Sequence, residues 1–185
     1  MSFIYWLDVI ALGVCIIVAG ALALGTIGVG PRRTVNRAFA LFTILEAVWA
    51  TSSLSLRLAL WLERGNPLVL AELSTLAFSL MGPFLLIFAA RYVARRTRWI
   101  DLASVLGLLV MAALSIPLFR HELVTAPRLL SNGSKTLEVS GSGLLLATLP
   151  ALFFDWALLL FWRDLQKFRD SLFSTCIFVL LTGFV

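Results

Sequence analysis

Six long apolar segments, separated by short basic or turn-rich connectors, run through the 185-residue chain. A soluble domain cannot hide that pattern. The chain is 61% hydrophobic, against roughly 45–50% for soluble domains, and its mean hydropathy is +0.99. A bilayer can take such segments, but only as helices or a closed barrel, because lipid offers the backbone no hydrogen-bond partner. The first five apolar runs reach or exceed the roughly 20 residues that a helix needs to cross the hydrocarbon core, and the sixth, about 15 residues long where the chain stops, is short of a span. The pattern therefore predicts an all-α, polytopic membrane helix bundle, a single transmembrane domain over residues 1–185.

The predicted helices cover about 3–29, 38–62, 68–94, 99–118, 143–162 and 171–185. Gly30-Pro31 ends the first, and the run Glu63-Arg64-Gly65-Asn66-Pro67 makes a tight turn after the second. Pro83 falls inside the third helix and Pro150 inside the fifth, and a proline there should kink its helix. The sixth run is still apolar at Val185, with no cap or charged flank to close it. A longer protein, with a seventh helix, is the expectation. Between helices four and five, residues 129–139 read as a small external β-hairpin around Asn132-Gly133, with a loop as the competing reading.

The net charge of +5 would suggest nucleic acid in a soluble protein. Here the basic residues sit between apolar runs, where membrane insertion and lipid head groups account for them, so nucleic acid is not expected as a partner. Connectors one, three and five carry ten of the 15 lysines and arginines, among them Arg32, Arg33, Arg37, Arg95, Arg96, Arg98, Arg163, Lys167 and Arg169. The positive-inside rule puts those connectors in the cytoplasm and the N-terminus outside. The localisation expected is a plasma membrane, multi-pass.

Charges at bilayer depth are costly and need partners. Glu46 and Asp155 lie at similar distances from the cytoplasmic ends of helices two and five. Each is expected to be neutral or hydrogen-bonded, either as helix-to-helix glue or as a sensing pair. Arg57, near the outer end of helix two, can meet Glu72 at the start of helix three, and Asp8 of helix one can share it. This cluster reads as a structural tie, or as part of an external-facing pocket with Ser52, Ser53, Ser55, Ser74 and Thr75. Trp6, Trp61, Trp99 and Trp162 fall at helix ends as interface anchors. Trp49 and Trp156 lie deeper and read as packing.

Little catalytic chemistry is left. The one histidine, His121, lies in the fourth connector, and both lysines lie outside the apolar runs. Haem ligation or a retinal Schiff base at bilayer depth is therefore not expected. No phosphate loop, HExxH or GxSxG is present. Cys15 and Cys176 fall in apolar segments and read as small buried hydrophobes, without metal-binding spacing. No catalytic residue, cofactor or metal site is expected.

The run Asn36-Arg37-Ala38-Phe39-Ala40-Leu41-Phe42, followed by Glu46-Ala47-Val48-Trp49-Ala50 and Arg57-Leu58-Ala59, resembles the second helix of the N-terminal seven-helix sensor module of bacterial histidine kinases. Ala71-Glu72-Leu73 and Gly82-Pro83-Phe84-Leu85-Leu86-Ile87-Phe88-Ala89 resemble its third helix. The hairpin before helix five and the charged link before helix six fit the same module. The resemblance implies a membrane sensory or input module, with the N-terminus outside and a seventh helix leading to cytoplasmic signalling domains. The chain departs from it by stopping in the sixth helix and by lacking a phosphoacceptor histidine, an ATP-binding region and a diguanylate-cyclase region, so no kinase activity is assigned. A second expectation is an accessory, non-enzymatic subunit of a larger energy-converting membrane complex, photosynthetic or respiratory. A third, half of a transporter, would need repeats or broken helices around a midplane site. The partners expected are membrane lipids and other membrane subunits or a second copy.

Overall fold

The computed structural model describes residues 3–30, 32–93, 98–120, 124–129, 135–139 and 141–165. Five helices account for most of them: α1 (Phe3–Val29), α2 (Thr34–Leu62), α3 (Pro67–Tyr92), α4 (Arg98–Phe119) and α5 (Gly141–Leu165). Among the described residues, three stretches are long and apolar enough to cross a membrane: Trp6–Val29, Thr34–Leu62 and Pro67–Tyr92. The expected sixth helix lies outside the described residues.

Helix ends overrun the apolar runs. Helix α2 starts at Thr34 rather than near residue 38, and α5 continues through Arg163 to Leu165. Arginine is a good helix former, so a basic residue ends the apolar stretch without ending the helix. The link from α1 to α2 is very short. Arg33 N–H donates to the Gly30 carbonyl at 3.2 Å, and the Asn36 side-chain amide donates to the same oxygen at 3.0 Å. The α2–α3 turn is built from residue-specific devices. Glu63 takes the left-handed conformation (φ 54°) and Gly65 follows at φ 87°. The Glu63 and Arg64 N–H groups both donate to the Ala59 carbonyl. The Asn66 side chain then accepts from Leu68 N–H at 3.1 Å and Val69 N–H at 3.4 Å, with Pro67 in the first turn of α3.

Helix α3 is the hub. It packs against α2, α4 and α5, whereas α1 packs against α2. The core follows this plan. Leu86 and Ala89 of α3 are fully buried among Phe42 of α2, Ile100 of α4, and Ala157, Leu160 and Phe161 of α5. Aromatic rings tie these helices together: Phe39 meets Phe88 at 4.8 Å, Phe88 meets Phe161 at 5.8 Å, and Phe78 stacks on Phe154 at 6.0 Å. Phe78 meets Phe154, Gly82 meets Pro150 and Phe88 meets Phe161, so α3 and α5 run parallel.

The outward faces are as apolar as the core. Ile17 and Leu24 of α1 are 72% and 74% exposed, and Leu102, Val105, Leu106 and Leu109 of α4 are exposed as well. In water such faces would drive aggregation, whereas in lipid they are the natural surface.

Two short strands lie between α4 and α5: β1 (Val124–Leu129) and β2 (Lys135–Val139). They pair antiparallel with Leu129 opposite Lys135 and Val124 opposite Val139, and with an irregularity between Val124 and Pro127. Proline has no N–H to give the ladder, which confines it to edge strands and irregularities such as this one. The first strand begins five residues before the stretch read from the sequence as a hairpin arm. The Asn132-Gly133 turn expected to join the strands lies outside the described residues.

Candidate functional site

The polar side chains of the span converge on the α1–α2–α3 side of the bundle. Near the start of α1, Asp8 forms an ion pair with Arg57 of α2, the guanidinium Nε donating to Oδ2. Arg57 also donates from an η nitrogen to the Ser53 carbonyl at 3.2 Å. Ser53 in turn shares a 2.7 Å hydroxyl–hydroxyl hydrogen bond with Ser74 of α3. A continuous polar path therefore crosses three helices: Asp8, Arg57, Ser53, Ser74. Trp6 and Trp61 close the same end edge to face, 6.5 Å apart. The ion-pair carboxylate is on α1. Glu72, the sequence's first choice for Arg57, is 97% buried in the first turns of α3 (relative exposure 3%).

The second polar contact is deeper. Cys15 of α1 donates its thiol to Glu46 Oε1 of α2 at 3.6 Å. The sequence reading expected Glu46 to be neutral or hydrogen-bonded, without naming a thiol as its partner. Cysteine serves because the two positions lie about equally far from Gly30 along the chain, and so meet when α1 folds back along α2. That equality was available from the sequence, but it becomes a signal only once a thiol is counted as a donor.

Glu46 and Asp155 are not brought together. Glu46 engages α1, whereas Asp155 stands exposed on α5. Counting along each helix at 1.5 Å per residue is what led the sequence reading to expect similar depths for them. Their azimuth follows from the packing of α5 on α3, which counting cannot give. Trp49 packs against Phe78 at 6.2 Å, as a packing residue should. Trp156 does not fill the interior and lies on the same exposed side of α5 as Asp155.

Beside the Cys15–Glu46 contact, an open cleft of about 420 Å³ runs over α2 between α1 and α3. Its walls are Gly20 and Ala23 of α1, Ala47 and Thr51 of α2, and Leu70 and Leu73 of α3. The size is within the range of small-molecule sites, roughly 300–1,000 Å³. The lining is apolar and small, which suits an acyl chain or another apolar molecule entering sideways from lipid. Ser52, also on the rim, spends its hydroxyl on the Val48 carbonyl of its own helix at 2.7 Å.

Among the described residues, no group of three His, Cys, Asp or Glu side chains could hold a metal ion. The chain matches no family model, and neither a curated protein nor a solved structure is similar to it.

Proposed function

We propose that the chain is a membrane sensory or input module, non-catalytic by itself, of the kind the N-terminal seven-helix region of bacterial histidine kinases represents. In this reading α4, α5 and the apolar stretch 171–185 cross the bilayer together with α1, α2 and α3, which makes six spans. The N-terminus and the β1–β2 pair lie outside a bacterial plasma membrane, and the arginine-rich connectors lie in the cytoplasm. The observation that carries the reading is the polar path from Asp8 through Arg57 and Ser53 to Ser74. It ties a peripheral helix to the hub helix at one end of the bundle, next to a laterally open cleft. A molecule or bilayer change that favours one position of α1 over another would be passed to α3 through these bonds, which is what an input module must do.

The test is Arg57→Leu in the cells that make the protein, read by the phosphorylation state of their two-component response regulators. The expected result is a changed pattern, either constitutive or silent. An unchanged pattern overturns the proposal.

A second reading, an accessory subunit of a larger membrane complex, is favoured by one observation. Asp155 stands on an outward face of α5, where a carboxylate facing lipid is costly. Stoichiometric co-purification with other membrane subunits, together with unchanged signalling in the Arg57→Leu strain, would establish that reading instead.

A further inference from the structure

Helix α5 presents an outward stripe of Leu152, Asp155, Trp156, Leu159 and Trp162, all exposed. The spacing of three and four residues puts them on one face. Asp155 lies near the middle of Gly141–Leu165, at the centre of this otherwise apolar stripe. No described residue forms an ion pair or hydrogen bond with it. A carboxylate in that position is the most costly surface feature of the bundle if α5 spans the membrane.

Among the described residues, none supplies a cation to Asp155. Arg57 is engaged by Asp8 and the Ser53 carbonyl. Every other lysine and arginine lies in a connector, a helix end or the β1–β2 region, and the stretch 171–185 contains none. That stretch offers hydroxyls at Ser171, Ser174, Thr175 and Thr182, which can bond a carboxylate but cannot neutralise it. A second copy brings the same inventory and would set one Asp155 against another.

We infer that the Asp155 face of α5 is a lateral docking surface for a transmembrane helix of another protein that carries a lysine or arginine at matching depth. The leucines and tryptophans supply close packing around the charge pair, and the pair fixes the depth and the partner. Charge pairing is the usual way an ionisable residue is kept within a membrane, and rejection of uncharged helices follows from leaving Asp155 unpaired. The inference rests on α5 being a span, as in the reading above, but not on sensory function.

The full chain, donor-labelled in phosphatidylcholine vesicles, is titrated with an acceptor-labelled Leu-Ala transmembrane peptide bearing one central lysine. The control peptide has leucine at that position. Energy transfer to the lysine peptide is expected to be stronger by on the order of tenfold. Asp155→Leu should abolish the difference. Asp155→Lys should reverse it toward a peptide with a central aspartate, which shows that the variant chain still folds and docks. Equal transfer to both peptides, or a preference that survives Asp155→Leu, overturns the inference. So does a high-yield disulfide between cysteines placed at 155 and 182 in native membranes, which assigns the face to the chain's own last segment. Failure of the span reading looks different. An Asp155→Cys chain would then react with a membrane-impermeant maleimide, whereas a chain that spans but does not dock stays unreactive.

Discussion

The α1–α2 pair and the α3–α5 pair are both long helix contacts, yet they are held by opposite means. Helix α1 meets α2 through small residues such as Ala19 and Ala23, with polar contacts at intervals: Asp8–Arg57, Cys15–Glu46 and Asn36 to Gly30. Helices α3 and α5 meet through bulk and close backbone approach. Pro83 and Pro150 are both fully buried, and Gly82 lies directly against the Pro150 backbone. Phe153 fits against Gly82 and against Gly107 of α4, bridging both apolar clusters. In lipid, apolar side chains gain nothing merely by leaving the solvent, so association depends on packing and hydrogen bonds. The aromatic crossing exploits packing. The α1–α2 seam, with smaller side chains, relies on hydrogen bonds and charge. The first arrangement is rigid because it has no slack. The second can break at single bonds and re-form, which is where a movable element belongs.

That contrast can be broken by measurement. The largest loss is expected from Phe153→Ala, which empties the socket between α3, α4 and α5. Unfolding in mixed detergent–SDS micelles should show a destabilisation of about 3 kcal/mol. Gly82→Ala comes next. The added methyl would stand 2.7 Å from the Pro150 carbonyl oxygen and 3.1 Å from the Phe153 Cβ. Those are backbone and near-backbone atoms that cannot step aside, so a loss of about 2 kcal/mol is expected in the same assay. Arg57→Ala should cost least, about 1 kcal/mol, because both members of the ion pair are partly exposed and hydrogen bonds between membrane helices are individually weak. Its larger effect should be positional: spin labels on α1 and α3 should show a broader distance distribution, while labels on α3 and α5 should not. A stability loss for Arg57→Ala exceeding that for Phe153→Ala would invert the comparison. An unchanged α1–α3 distribution would remove the claim that α1 is held by single bonds.

How far the sequence could be read follows from the same physics. The extent of the helices was legible because an apolar run of bilayer length has few alternatives, and the Glu63–Pro67 turn was legible because Gly, Asn and Pro have fixed uses there. Helix ends were misplaced at Thr34 and Leu165, since charge marks the edge of the apolar run and not the edge of the helix. Position along each helix was also legible, which put Arg57 within reach of Asp8. The direction in which each residue points was not. It depends on how α5 rolls against α3, set by Gly82, Pro150 and Phe153 together, and no one of these announces it. Asp155 and Trp156 were therefore expected inside and are found facing out.

The link that joins α1 to α2 has a consequence for assembly. Asn36 and Arg33 both hold the Gly30 carbonyl, so the chain reverses within a few residues and its slack is bonded away. Exchange of the first helix between copies would have to break both bonds to the Gly30 carbonyl and straighten the link. While those bonds hold, the motion open to α1 is a shift along or around its own α2.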